Sequence, residues 1–192
     1  MGRRRDVRGG IPAQIRHRGN QHLNVFVDDE DREWYLELLR RAARKCGLDV
    51  HHYSLMDTHS HVLATPRHER CLASAMHLLG QRYSLFFNRK HNRRGALWFG
   101  PYESKPVDDE CYVLTCARYI EQNPVRARIV SECEDYKWSS YRFYAFGEPS
   151  DWIVPHPLYL ALGDTPERRQ EAYRALFAEP PKTADIVRLR VR

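Results

Sequence analysis

Two short stretches hold side chains able to act together on a phosphate: His59-Ser60-His61, in a run that reads as a strand, and Tyr119-Ile120-Glu121-Gln122-Asn123-Pro124, at the end of a run that reads as a helix. Residues two apart on a strand share a face, so both imidazoles can bind one ion. Residues four apart on a helix share a face, which puts the Tyr119 phenol beside the Asn123 amide oxygen, a third and harder ligand. Pro124 disfavours helical geometry at Asn123, so the pair is expected in the last helical turn, where a side chain can reach toward a sheet. A free phenol ionises near pH ~10 and needs a metal or a base to attack at neutral pH. Glu121 offers a base or a support for the ligands, although two residues from Tyr119 it points to another helix face. A phenol beside a metal that grips a phosphate oxygen suits phosphoryl transfer through a phosphotyrosine.

Each half of this arrangement has an ordinary alternative. An H-x-H pair is most often two half-exposed strand residues, and an aromatic at helical spacing usually packs in a core. The surroundings of Tyr119 decide for chemistry: Arg118, Glu121, Gln122, Asn123 and Arg126 make that helix end polar rather than sealed. His51 and His52 are adjacent, so they are expected to face opposite ways on their strand and to be structural. Cys111 and Cys116 read as a buried helix face. Tyr83, Tyr112, Trp34 and Trp138 read as core.

The elements that must position these groups follow from periodicity. Ile11 to His17 reads as a strand, Asp29 to Lys45 as an amphipathic helix with acids early and bases late, and Leu48 to Met56 and His61 to Thr65 as antiparallel strands about an Asp57-Thr58 turn. A second helix is expected from Cys71 to Asn88, an aromatic strand and turn at Leu97 to Tyr102, and a third helix from Asp108 to Asn123. Shorter pieces follow: a helix around Trp138 to Tyr144, a proline-rich crossing near Pro149 to Pro157, and a helix from Pro166 to Phe177. The order strand, helix, strand, strand, helix, strand predicts an α+β fold, a ferredoxin-like or RRM-like antiparallel sheet with helices packed on one face, plus a C-terminal helical extension. Residues 1–163 are taken as one domain, and 164–192 as a C-terminal helix and basic tail.

Composition narrows the partners. The 192 residues are 42% hydrophobic and 29% charged, enough for one domain with a core. No apolar stretch follows the basic first block or is long enough to span a membrane, so a cytoplasmic, nucleoid-associated protein without a membrane partner is expected. Five cysteines, odd in number and without a CxxC pair, argue against a disulfide framework or a zinc finger. The net charge of +6 is concentrated: residues 1–20 hold six Arg against Asp6, and residues 82–105 hold Arg82, Arg89, Lys90, Arg93, Arg94 and Lys105 against Glu103. A polyphosphate selects for such stretches. Arg3, Arg4, Arg5, Arg16 and Arg18 in the first, and Arg89, Lys90, Arg93, Arg94 and Lys105 in the second, are therefore candidate DNA contacts. Arg126 joins them beside the tyrosine, and Trp98, just beyond the basic loop, is placed to stack a base.

The run "YIEQNPVRA" with the upstream "HSH" resembles the REP-associated tyrosine transposases, relatives of the single-tyrosine HUH transposases. So do "HRGN" at 17–20, which adds Asn20 to the DNA contacts, "FVDDEDREWYLELL" at 26–39, "LWFGPYESKPVDDECY" at 97–112, "YKWSSY" at 136–141 and "PHPLYLALG" at 155–163. The resemblance spans roughly residues 10–178, with the blocks in the family's order and spacing. It implies the same sheet architecture and a metal-dependent single-strand DNA endonuclease and transesterase acting on hairpin DNA, as a monomer or homodimer. Tyr119 would attack the phosphodiester to give a 5′-phosphotyrosine and a free 3′-hydroxyl, with Mg²⁺ or Mn²⁺ held by His59, His61 and Asn123. Two departures stand out: the apolar residue usual between the histidines is Ser60, and two usually basic positions are Pro101 and Glu103. They favour a second reading, a DNA- or RNA-binding domain with a degenerate site. A His-based nucleotide hydrolase would leave Tyr119 unexplained.

Overall fold

The computed structural model describes residues 7–178 and Leu189. Four strands, Ala13–Arg18 (β1), Leu48–Met56 (β2), His59–Pro66 (β3) and Glu103–Pro106 (β4), form one sheet in the order β2-β3-β1-β4. All its pairings are antiparallel. The Asp57-Thr58 turn joins β2 to β3 as the sequence predicts, and β1 lies between β3 and β4, with one helix linking β1 to β2 and another linking β3 to β4.

Those helices are Asp29–Cys46 (α1) and Glu69–Lys90 (α2). The start of α1 is fixed by a capping box in which Asp28 and Asp31 bond each other's backbone N–H. Its end is fixed by Gly47 at φ 73°, a left-handed turn that Gly adopts at no steric cost. Tyr35, Leu39, Leu72, Leu79 and Tyr83 pack from α1 and α2 onto Ile15, Val62 and Ala64 of the sheet.

The other face is not open. A third helix, Cys111–Glu121 (α3), packs Val113, Cys116, Tyr119 and Ile120 against Leu63. Helices therefore cover both faces, where the sequence pattern predicts one. The cause is visible in β3, whose Val62-Leu63-Ala64 run is buried throughout rather than alternating, as in strands covered on both sides. The strand expected at Leu97 to Tyr102 also differs: Trp98 makes a single bridge with Gly19, and β4 begins at Glu103.

Beyond α3 come Asn123–Arg126 (α4), Tyr141–Phe146 (α5), Pro157–Leu160 (α6) and Pro166–Ala175 (α7). The chain between α4 and α6 seals the edge of β2: Leu55 N–H donates to Trp138 O, Ser140 N–H to Tyr53 O and Val154 N–H to Val50 O, at 2.9, 3.0 and 2.9 Å. An unpaired edge would otherwise invite another chain. Tyr144, Tyr159 and Tyr173 bury their rings behind this segment, and each hydroxyl finds an acceptor: His51 O, Tyr144 O and Glu121 Oε2. No described helix is long and apolar enough to cross a membrane.

A β-bulge in β2 overturns the expected placing of two histidines. Val50 pairs with Ala64 and His52 with Leu63, so His51 is the extra residue. Its ring bonds Thr65 Oγ1 and Val154 O, while the adjacent His52 reaches Glu121 at the end of α3. Both imidazoles are buried and structural, but simple alternation does not place them.

Candidate active site

Alternation along β3 sends Ser60, Val62 and Ala64 toward α1 and α2, and His59, His61 and Leu63 toward α3. The imidazoles of His59 and His61 lie 4.9 Å apart, nearly perpendicular. The Tyr119 ring meets His61 edge-on at 5.9 Å, and the Arg126 guanidinium carbon stands 4.3 Å from the Tyr119 ring centre. Tyr119 is 5% exposed, and its phenol has no hydrogen bond among the described residues. The strand that holds the pair is tied down behind it. Ser60, in the position where an apolar residue is usual, is buried with its hydroxyl 2.8 Å from the Tyr35 hydroxyl, so this polar substitution in the core is satisfied.

Both histidines are held neutral. Burial pushes His59 down to about 4, with the nearby Arg16 adding to the effect. Burial also drives His61 well below the ordinary imidazole range, helped by His59, Arg16 and Arg126. Neutral imidazole is the metal-binding form. His59 Nδ1 sits 3.0 Å from Thr58 Oγ1, whereas His61 Nδ1 is buried without a partner among the described residues. Two neutral nitrogens on one face, one of them unsatisfied, fit a divalent ion.

Asn123 stands at a different junction from the expected one. α3 ends at Glu121 and, after Gln122, Asn123 opens α4, with Pro124 in the first turn, where its missing N–H costs nothing. The Asn123 amide nitrogen donates to Tyr119 O at 2.8 Å and Ile120 O at 3.1 Å, and its oxygen accepts from Arg126 Nη2 at 3.3 Å. The side chain thus staples the two helices together beside the tyrosine, and its oxygen already carries one cation.

Glu121, expected as a base or ligand support, has neither oxygen free. Oε1 accepts from His52 Nδ1 at 2.9 Å and Ser140 Oγ at 2.5 Å, and Oε2 accepts from the Tyr173 hydroxyl at 2.7 Å. The residue is fully buried. These donors come from β2, the edge-sealing segment and α7, so Glu121 fastens the tyrosine-bearing helix to three other parts of the molecule. Sequence reasoning missed His52, Ser140 and Tyr173; the "YKWSSY" block holding Ser140 was the one visible signal.

The candidate DNA contacts divide. Arg16 pairs with His61 across the sheet and Arg18 with His59, so both stand on the histidine face, as does Lys105 opposite Gln14. Glu103 lies 3.7 Å from Arg16 and 4.0 Å from Arg18, and Arg18 also stacks on Phe99 at 4.0 Å. Asn20 follows β1, its backbone N–H bonded to Leu97 O at 2.8 Å. Trp98 is fixed rather than free: it stacks on His17 at 3.8 Å and donates to Gly80 O at 3.2 Å, forming one wall of a 580 Å³ cavity on the α2 side of the sheet.

Lys90 is consumed internally, its ammonium bonding Asp28, Glu30 and Asp31 at 2.6, 2.9 and 3.0 Å. Arg93 closes its own loop on Asn88, Gly95 and Ala96. Arg89 lies in the last turn of α2 and Arg94 is exposed in the loop after it. Arg3, Arg4 and Arg5 lie outside the described residues. Asp28, Asp31 and His91 converge within 4.8 Å as metal ligands would. Lys90 already neutralises that cluster, and Asp31 also caps α1, so its donor set does not fit a second ion.

The chain is similar to known transposases. The family model described as IS200-like transposase matches residues 17–123. The solved structure of a REP-associated tyrosine transposase bound to a REP hairpin has the same fold: its TM-score is 0.63 at 16% identity, covering 80% of this chain and 92% of that one. A putative transposase from Deinococcus radiodurans is 22% identical, covering 64% of this chain and 97% of its own, with a TM-score of 0.44. No curated protein matches the chain.

Proposed function

Because the chain belongs to the IS200-like transposase family, we propose that it cleaves and rejoins single-stranded DNA at hairpins through Tyr119. The observation that carries this reading is the clustering of the two imidazoles and the phenol on one sheet face, drawn from elements far apart in sequence. His59 and His61 would hold Mg²⁺ or Mn²⁺, with Asn123 as an oxygen donor once Arg126 releases it, and the ion would polarise a phosphate oxygen. The Tyr119 oxygen bonds to phosphorus as the bond to the 3′-oxygen breaks; the phenol proton leaves to solvent and the departing 3′-oxygen takes one up. One phosphoester replaces another, so attack by a second 3′-hydroxyl joins strands without an energy source. Arg16, Arg18 and Lys105 hold the backbone on the same face, and Arg126 adds charge beside the nucleophile. That the similar transposase structure carries a REP hairpin supports hairpin DNA as substrate.

A second reading, a DNA-binding domain with an idle site, is favoured by one contact: Arg126 occupies the Asn123 oxygen. Tyr119→Phe separates the two. Only an unbonded hydroxyl is lost, so fold and hairpin affinity are expected to stay within a few tenths of a kcal/mol of wild type. The covalent adduct seen on a denaturing gel with labelled hairpin and Mn²⁺, and strand cleavage with it, should vanish. Metal-dependent nicking that persists in Tyr119→Phe refutes the tyrosine mechanism, and no adduct in the wild-type protein favours the binding domain.

A further inference from the structure

The helices opposite the histidine face are not smooth on their outer side: a groove of about 540 Å³ runs between α1 and α2. Trp34 and Leu38 from α1 and Leu78, Leu85 and Phe86 from α2 give it an apolar floor, each set recurring at helical spacing. Leu85 is 65% exposed, the most of any large apolar side chain on the described surface. Around the floor stand Arg41, Lys45, Arg82 and Arg89. Glu37 stands beside them and bonds Arg41 at 2.6 Å.

We propose that this groove docks an acidic amphipathic helix of a partner protein, with apolar side chains on the floor and carboxylates against the four cations. Helix-in-groove recognition needs this combination of an apolar strip and a charged border. A second copy of the chain is disfavoured, because groove against groove sets two basic rims together. DNA suits the rim but not the floor: leucines offer no face on which a base stacks, and the Trp34 and Phe86 rings, 5.7 Å apart, pack on each other. Because the groove and the histidine pair lie on opposite faces of the sheet, partner and DNA can be held at once.

The test uses a phage-displayed library of random peptides about 16 residues long, roughly four helical turns, selected on the full-length protein. Enriched peptides should carry acidic residues flanking apolar ones at helical spacing. By fluorescence anisotropy their Kd should rise about tenfold or more on Leu85→Glu, as for loss of a central anchor, and rise on Lys45→Glu, with hairpin cleavage unchanged in both. No enrichment, enrichment without acidic residues, or equal binding to Leu85→Glu overturns the proposal. So does a Leu85→Glu protein that keeps its circular dichroism but loses hairpin affinity, which assigns the groove to DNA. A concentration-dependent dimer of wild type that Leu85→Glu abolishes assigns it to a second copy.

Discussion

Replacing Glu121 tests whether the carboxyl two residues from Tyr119 reacts or positions. Glu121→Ala strands three buried donors at once: His52 Nδ1, Ser140 Oγ and the Tyr173 hydroxyl. An unsatisfied buried polar group costs about 1–3 kcal/mol. Relaxation and entering water recover part of that, so the expected loss is roughly 3–5 kcal/mol, a large share of the ~5–15 kcal/mol that holds a domain folded. With a urea m-value of about 2 kcal/mol per molar, the unfolding midpoint should fall by roughly 2 M. Glu121→Gln is the control. Its carbonyl still accepts from His52 and Ser140 and its amide can donate to the Tyr173 oxygen, so the cost should be near ~1 kcal/mol and the DNA adduct should still form. The assay is urea denaturation followed by tryptophan fluorescence, run beside single-turnover adduct formation. If Glu121→Gln unfolds at the wild-type urea concentration yet forms no adduct, Glu121 is a chemical participant and the positioning argument fails.

Two further outcomes follow from the burial of imidazoles. His61→Ala should lose Mn²⁺ binding by calorimetry and metal-dependent cleavage together, because one nitrogen and one amide oxygen hold a strongly hydrated ion poorly; retained metal affinity places the ion elsewhere. Burial holds His17 near 3 and His51 near 4 in the folded protein, against about 6.5 unfolded. Between those values the unfolded chain binds more protons, so stability should fall as pH drops from about 6.5 to 4. His17→Phe keeps the stack on Trp98 and removes one such group, so it should flatten that slope in urea titrations at stepped pH; an unchanged slope shows that His17 does not contribute.

Local signals in the sequence carried the parts of the site made by neighbours along the chain. The β2–β3 hairpin, the shared face of His59 and His61 and the capped α1 all depend on contacts within a few residues, and periodicity reads them. Glu121 could not be read this way, because its donors are 69, 19 and 52 residues away and no offset along α3 points to them. The bulge at His51 is similar: one extra residue in β2 reverses the expected facing of His52 and delivers it to that carboxyl. Composition does not show what Lys90 meets, since a basic run looks alike whether its charges stand free or, as here, bond Asp28 and Asp31. The helix on the second face of the sheet had a signal in the unbroken apolar run of β3, which the strand, helix, strand order obscured.

The bond from Tyr173 to Glu121 also sets a timetable. A chain is synthesised from its N-terminus and folds in that order, so β1 and the histidine strand leave the ribosome early and the tyrosine helix later. The hydroxyl that completes the fastening of that helix sits in α7, made after β2, α3 and the edge-sealing segment. A nascent chain that lacks α7 can therefore present its basic sheet face while Glu121 is held by His52 and Ser140 alone. On the proposed tyrosine mechanism, the helix that carries Tyr119 is fully fastened only once α7 has been made.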